Sequence, residues 1–164
     1  MPNQLENLKN LLSQYGQKVN AEKTVVEVHS TACIDNNVPP SAGVYWIETT
    51  MPVETMRNAI SEVLGKDKRI RKTPPHGTRL IEQQESNLYV AYSGTEDDIR
   101  KRLKQHLFNL GHADTVKLGC VIDEPPFSEY KWRVAFTSID SYEFRYAVEA
   151  WWRLNVGWPP FCLR

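Results

Sequence analysis

The sequence predicts an α+β fold, a small and mostly antiparallel central sheet flanked by helices. Three observations predict it. Short runs rich in β-branched and aromatic residues and bounded by breakers are few: TVVEVH (24–29), GVYWIETT (43–50), NLYVAY (87–92) and KWRVAFTSI (131–139). Apolar residues spaced by three and four mark several helices between and beyond them. The 164 residues, 41% hydrophobic and 24% charged, are ordinary for a globular chain. A chain of this length buries roughly 70% of its unfolded surface, enough for one core. A single domain, 1–164, is therefore expected.

Leu5, Leu8, Leu11, Leu12, Tyr15 and Val19 define an amphipathic helix over 3–19, the start of an N-terminal extension reaching residue 40. TVVEVH reads as a short strand, and the polar run DNNVPPSAG as the loop that ends it. Alternation in GVYWIETT puts Tyr45 and Ile47 on one face. In MPVETMRNAISEVLGKD, Met56, Ile60 and Leu64 recur every four residues, Pro52 suits a first turn and Gly65 a stop. The basic run KDKRIRK (66–72) and the loop TPPHGT (73–78) follow, within a long insertion at 51–86. NLYVAY is the next strand, and SGTEDD supplies a turn and an acidic helix start. Ile99, Leu103 and Leu107 give the buried stripe of a helix over about 96–109. KLGCVI (117–122) reads as a strand, and YEFRYAVEAWWRL (142–154) as a final helix before Gly157-Trp158-Pro159-Pro160.

Twenty Lys+Arg against twenty Asp+Glu leave no net charge, so any nucleic-acid partner must be read from local clusters. KDKRIRK contributes Lys68, Arg69, Arg71 and Lys72, and RKRLK (100–104) contributes Arg100, Lys101 and Lys104; both are candidate DNA-binding segments. The three cysteines, 33, 120 and 162, are widely spaced and odd in number, which speaks against disulfides or a zinc knuckle and for a reducing cytoplasm. No run of 18 apolar residues occurs and the N-terminus is polar, so neither a membrane span nor a signal peptide is expected.

Phosphate-loop, dinucleotide, zinc-peptidase and serine-hydrolase motifs are all missing, and His29, His76, His106 and His112 form no i, i+4 metal pair. What stands out is an order: Gly43-Val44-Tyr45 on one strand, Tyr89-Val90-Ala91 on a second, Arg102 and His106 on a helix, Glu149 on a later helix. Singly, the tyrosines read as core or edge aromatics, Arg102 as a solvated face, His106 as a surface or capping residue and Glu149 as a solvent-facing carboxylate. Together they resemble the GIY-YIG nuclease superfamily, over about residues 41 to 160.

The resemblance implies that Tyr45 and Tyr89 face a scissile phosphate, that Arg102 and His106 stabilise it, and that Glu149 holds one Mg²⁺ or Mn²⁺ ion. It departs from the family in three ways. Ala91 replaces a glycine, about three extra residues separate Tyr89 from Arg102, and the stretch between Tyr45 and Tyr89 is long. A tyrosine of ordinary pKa is only about 0.1% phenolate at neutral pH, so Tyr45 as a base needs electrostatic help, which Arg102 could give; otherwise Tyr45 orients the water. One carboxylate suffices for Mg²⁺ when substrate phosphate and water complete the shell. The implied activity is metal-dependent hydrolysis of DNA phosphodiesters by a restriction-type or mobile-element nuclease, whose specificity comes from the insertion, from a homodimer, or is slight. Two alternatives stand beside it: a DNA-binding module of this fold without cleavage, and a protein-interaction domain using WWRLNVGWPPFC.

Overall fold

A computed structural model of the chain describes residues 3–111 and 117–164. The described residues form five α-helices and one four-stranded sheet. In chain order these are α1 (Gln4–Glu22), β1 (Thr24–Glu27), α2 (Thr31–Asn37), β2 (Gly43–Thr49), α3 (Val53–Leu64), β3 (Tyr89–Glu96), α4 (Ile99–Phe108), β4 (Trp132–Ser138) and α5 (Tyr142–Asn155). The strands run β1-β4-β2-β3 across the sheet, every pair antiparallel. The α+β reading therefore holds. β1, inside the stretch expected as an extension, completes the sheet as an edge strand on β4.

Local chemistry sets the ends of the helices. Asn3 Oδ1 accepts from the Leu5 amide at 3.1 Å, Asp98 Oδ1 from Lys101 at 3.0 Å and Ser141 Oγ from Phe144 at 3.2 Å, so α1, α4 and α5 begin on side-chain caps. Gly65, at φ 67°, closes α3 in the left-handed conformation that favours glycine.

Helices cover both faces of the sheet. On one, Val19 of α1 and Val148 and Trp152 of α5 bury Val44, Trp46 and Ala135. On the other, Met56 and Ile60 of α3, Leu103 and Leu107 of α4 and Ile34 of α2 bury Tyr45, Ile47 and Val134. α1 lies close on α5 because Gly16 has no side chain: a Cβ there would stand 2.3 Å from the Trp151 ring. No helix among the described residues is long and apolar enough to cross a membrane.

Four expectations need correcting. α2 occupies a stretch for which no helix was expected, since its seven residues are too short to show a period. β3 runs on through Ser93-Gly94-Thr95-Glu96, where a turn and helix start were expected, because these residues pair with β2 as far as Gly43. Residues 117–122 are not a strand. Gly119 turns at φ 90°, and the Leu118, Cys120 and Ile122 amides instead donate to the end of α4, at the His106 ring, His106 O and Leu107 O. The first half of α1 covers no core, for Leu5, Leu8 and Leu11 are 70%, 63% and 62% exposed.

Candidate active site

The pairing of β2 with the edge strand β3 sets the positions of Tyr45 and Tyr92. Tyr45 pairs with Gly94 and Ile47 with Tyr92, but Glu48 pairs with Val90, so the register skips Ala91 in a β-bulge. Strict alternation puts residues three apart on opposite faces. The bulge cancels that: Tyr89, Tyr92 and Tyr45 all lie on the same side, and the rings of Tyr45 and Tyr92 stack with centroids 6.3 Å apart and planes at 23°.

This corrects the second tyrosine. Tyr89 sits at the far end of β3, 6% exposed, where its hydroxyl donates to Met51 O at 2.6 Å. It faces core and reaches no cleft. Tyr92 is the one beside Tyr45, and it heads the triplet Tyr92-Ser93-Gly94. Gly94 lies directly under the Tyr45 hydroxyl, where a Cβ would come within 2.4 Å of Oη. Ala91, the residue expected in the glycine position, is wholly buried in the core and accepts from the Phe161 amide.

His106 needs a second correction. It is 0% exposed and lies behind Tyr45, so it cannot touch a phosphate in the cleft. The Leu118 amide donates to its Nδ1 at 2.7 Å, which places the proton of the neutral ring on Nε2, and Nε2 lies 2.8 Å from Tyr45 Oη. Nε2–H therefore donates to the tyrosine. Burial, helped by Arg102 and Lys68, holds the His106 pKa down at about 3, so the ring stays neutral. Burial also raises Tyr45 well above its ordinary value. Tyr45 is thus held as a neutral phenol whose oxygen is already occupied by one donor and whose own proton is free for an acceptor.

Around this pair is a cleft of about 640 Å³, lined by Tyr45, Tyr92, Arg102, Glu149, Arg153 and Trp158 among others. Arg102 reaches it from α4 and donates through Nε (2.7 Å) and Nη2 to Glu96 Oε2. Glu149 reaches it from α5, its side chain 12% exposed, ion-paired with Arg153 one turn on at 2.5 Å. Burial raises the Glu149 pKa and Arg153 opposes the shift. Arg153 is itself fixed: it donates to Ser93 Oγ at 3.0 Å and Ser93 O at 2.8 Å, and its guanidinium lies 5.3 Å from the Trp158 ring centroid.

The basic residues divide into tethers and surface. Arg71 donates to the carbonyls of Cys162 (3.3 Å) and Leu163 and lies 5.1 Å over Trp158; it clamps the C-terminal segment. Arg100 donates to Val38 O and Lys104 pairs with Asp35 at 2.8 Å, both fastening α4 to the α2 region instead of bordering the cleft. Lys68 is half-buried and donates to Lys117 O at 3.3 Å, with its pKa lowered by burial. Lys101, Arg69 and Lys72 are exposed. Arg69 and Lys72 line a second cavity of about 450 Å³ with Arg57 and Lys68. His76 stays in an exposed loop, and His112 lies outside the described residues.

The C-terminal aromatic end is consumed internally. Trp152, Phe161 and Cys162 are buried and Trp158 pairs with the 79–81 segment, so these residues of WWRLNVGWPPFC are committed to the fold.

Among the described residues no group of three or more His, Cys, Asp or Glu side chains gathers as a metal cage. Glu149 and Glu96 are the hard donors that line the cleft, each paired with an arginine, and a single carboxylate can hold Mg²⁺ when water and phosphate complete the shell. That donor set fits Mg²⁺. Sequence reasoning missed Tyr92, Gly94, Glu96 and Arg153; the signal that could have found the first two was the Tyr-x-Gly triplet inside SGTEDD's run-in. No known family model, curated protein or solved structure matches this chain.

Proposed function

We propose that the chain is a metal-dependent DNA endonuclease working by a GIY-YIG-type arrangement. The observation that carries this reading is the meeting of Tyr45, Tyr92, Arg102 and Glu149, from four different elements, on one cleft. Taking Tyr92-Ser93-Gly94 as the second motif strengthens the resemblance: a glycine returns to its third position, and the three extra residues before Arg102 disappear.

The chemistry follows from the proton inventory. A substrate phosphate displaces Glu96 from Arg102, whose planar guanidinium then donates to non-bridging oxygens. Tyr45 donates its free proton to a phosphate oxygen while His106 holds its oxygen in place; its raised pKa favours orienting over proton abstraction, so the attacking water passes its proton to a non-bridging phosphate oxygen and the leaving oxygen takes one from solvent. Glu149 is the residue that would hold the ion, and Arg153 must then give up its contact. A bound Mg²⁺ or Mn²⁺ supplies stabilisation of the leaving oxyanion.

Cleavage of supercoiled plasmid and of duplex, branched and single-stranded oligonucleotides, with Mg²⁺ or with EDTA, tests the reading. Nicking is expected only with metal, and Glu149→Gln should lower it by on the order of 10²–10³-fold, as for loss of one group that stabilises transition-state charge. Metal-independent cutting, or full activity in Glu149→Gln, overturns it.

A specific observation favours a second reading, a DNA-binding module without cleavage: each cleft carboxylate is already neutralised, Glu96 by Arg102 and Glu149 by Arg153. Salt-sensitive binding with no cutting on any substrate would support that one.

A further inference from the structure

Tyr142, Tyr146, Glu149 and Arg153 are spaced by four, three and four residues on α5, so they share one face of that helix. The lower three line the cleft, and Tyr142 continues the row one turn beyond its mouth. The two tyrosines touch: ring centroids are 4.6 Å apart with planes at 34°, and their hydroxyls are 3.3 Å apart. Yet they remain 58% and 48% exposed.

Single exposed aromatics are unremarkable on a protein surface. Two in contact, in line with the proposed catalytic carboxylate, form a preset aromatic step leading into the site. An i, i+4 pair of this kind stabilises a helix only slightly, too little to account for so much exposed ring. Beneath it, Arg145 is 3% exposed, paired with Asp97, and its guanidinium lies 4.9 Å from the Tyr142 ring centroid. That contact restrains the ring before any ligand arrives, which lowers the ordering cost of binding.

The charges nearby select the kind of contact. Arg145, the cation under the Tyr142 ring, is spent on Asp97, and Glu143 stands beside Tyr142 in sequence, so the rings carry no free cation of their own for a phosphate backbone. What they offer is π surface, and stacking on tyrosine is how proteins hold unpaired bases without sequence readout.

We propose that the Tyr142–Tyr146 step stacks unpaired nucleobases flanking the phosphate held at Arg102 and Glu149, so that the substrate is single-stranded, frayed or branched at the cut. The inference rests on the nuclease reading and narrows its substrate class.

Binding of short single-stranded and blunt duplex oligonucleotides carrying 2-aminopurine tests it, comparing wild type with Tyr142→Ala/Tyr146→Ala and Tyr142→Phe/Tyr146→Phe, each checked for folding by circular dichroism. Wild type should bind the single strand with a change in 2-aminopurine fluorescence. The double alanine variant should lose about tenfold or more in single-strand affinity, with duplex affinity unaltered, as expected for removal of base-stacking rings. The double phenylalanine variant should bind as wild type does. Unchanged single-strand affinity in the alanine variant, or equal loss in the phenylalanine variant, overturns the stacking proposal and leaves the nuclease reading standing. No binding of wild type to either oligonucleotide, with or without Mg²⁺, overturns both.

Discussion

Gly94 is where one missing carbon sets the geometry of the site. Its hydrogen lets the Tyr45 hydroxyl lie over β3 within reach of His106, and a Cβ would stand 2.4 Å from that oxygen. On the nuclease reading, Gly94→Ala should leave a folded protein that nicks plasmid about 10²-fold more slowly, the effect expected for roughly 1 Å of misplacement; plasmid nicking with a parallel circular dichroism melt checks it. His106 carries a second residue-scale consequence. Its folded pKa, about 3, lies below the ordinary histidine value of 6.5, so between those pH values the unfolded chain binds a proton that the folded chain does not. Stability should fall as pH drops through that window, by at most about 1.4 kcal/mol per pH unit. Urea unfolding at pH 7 and pH 5 should show the loss, and His106→Gln should reduce it. Neither effect was legible in the sequence, where His106 reads as a surface or capping residue or, by the resemblance, as a phosphate stabiliser, and nothing signals the Leu118 amide that orients it.

α1 shows how an element can carry a regular apolar period and use only part of it. Its leucines repeat at helical spacing, yet only Gly16 and Val19 are buried, because α5 meets just the second half of the helix. Leu5→Ala and Leu8→Ala should thus change stability by no more than about 0.5 kcal/mol. Gly16→Ala, which pushes a methyl to 2.3 Å from the Trp151 ring, should cost about 1–3 kcal/mol by overpacking; urea denaturation of the three variants separates them. β3 makes the same point for strands. Periodicity identified the strand, but not the bulge at Ala91, because a bulge is a property of the pairing between two strands and leaves no mark on either sequence alone.

Across the whole molecule, the long connection between β2 and β3 is tied to the C-terminal segment. The Ile81 amide donates to Trp158 O and the Trp158 amide to Arg79 O, and Arg71 and Arg153 both lie over the Trp158 ring, which itself lines the cleft. Arg71→Ala should loosen this closure, visible as faster amide exchange at Phe161 and Cys162, while amides of β2 and β4 keep their protection. The exposed cations beside this closure have a different expected role. Arg69→Ala/Lys72→Ala should weaken DNA binding for all sequences alike and lessen the slope of log affinity against log salt by about 2, measured by fluorescence anisotropy.

The sequence by itself determined which segments form the long helices and the main strands, because period, caps and breakers act within a few residues of one another. It also named Tyr45, Arg102 and Glu149 in an order that suits one site. Tertiary structure alone decided that Tyr92 and not Tyr89 joins them, that His106 acts from behind the tyrosine, and that Arg71, Arg100 and Lys104 serve as tethers. Each of those outcomes depends on a partner distant in the chain, a paired strand, a loop amide or a backbone carbonyl, and such partners come together only when the sheet and helices pack.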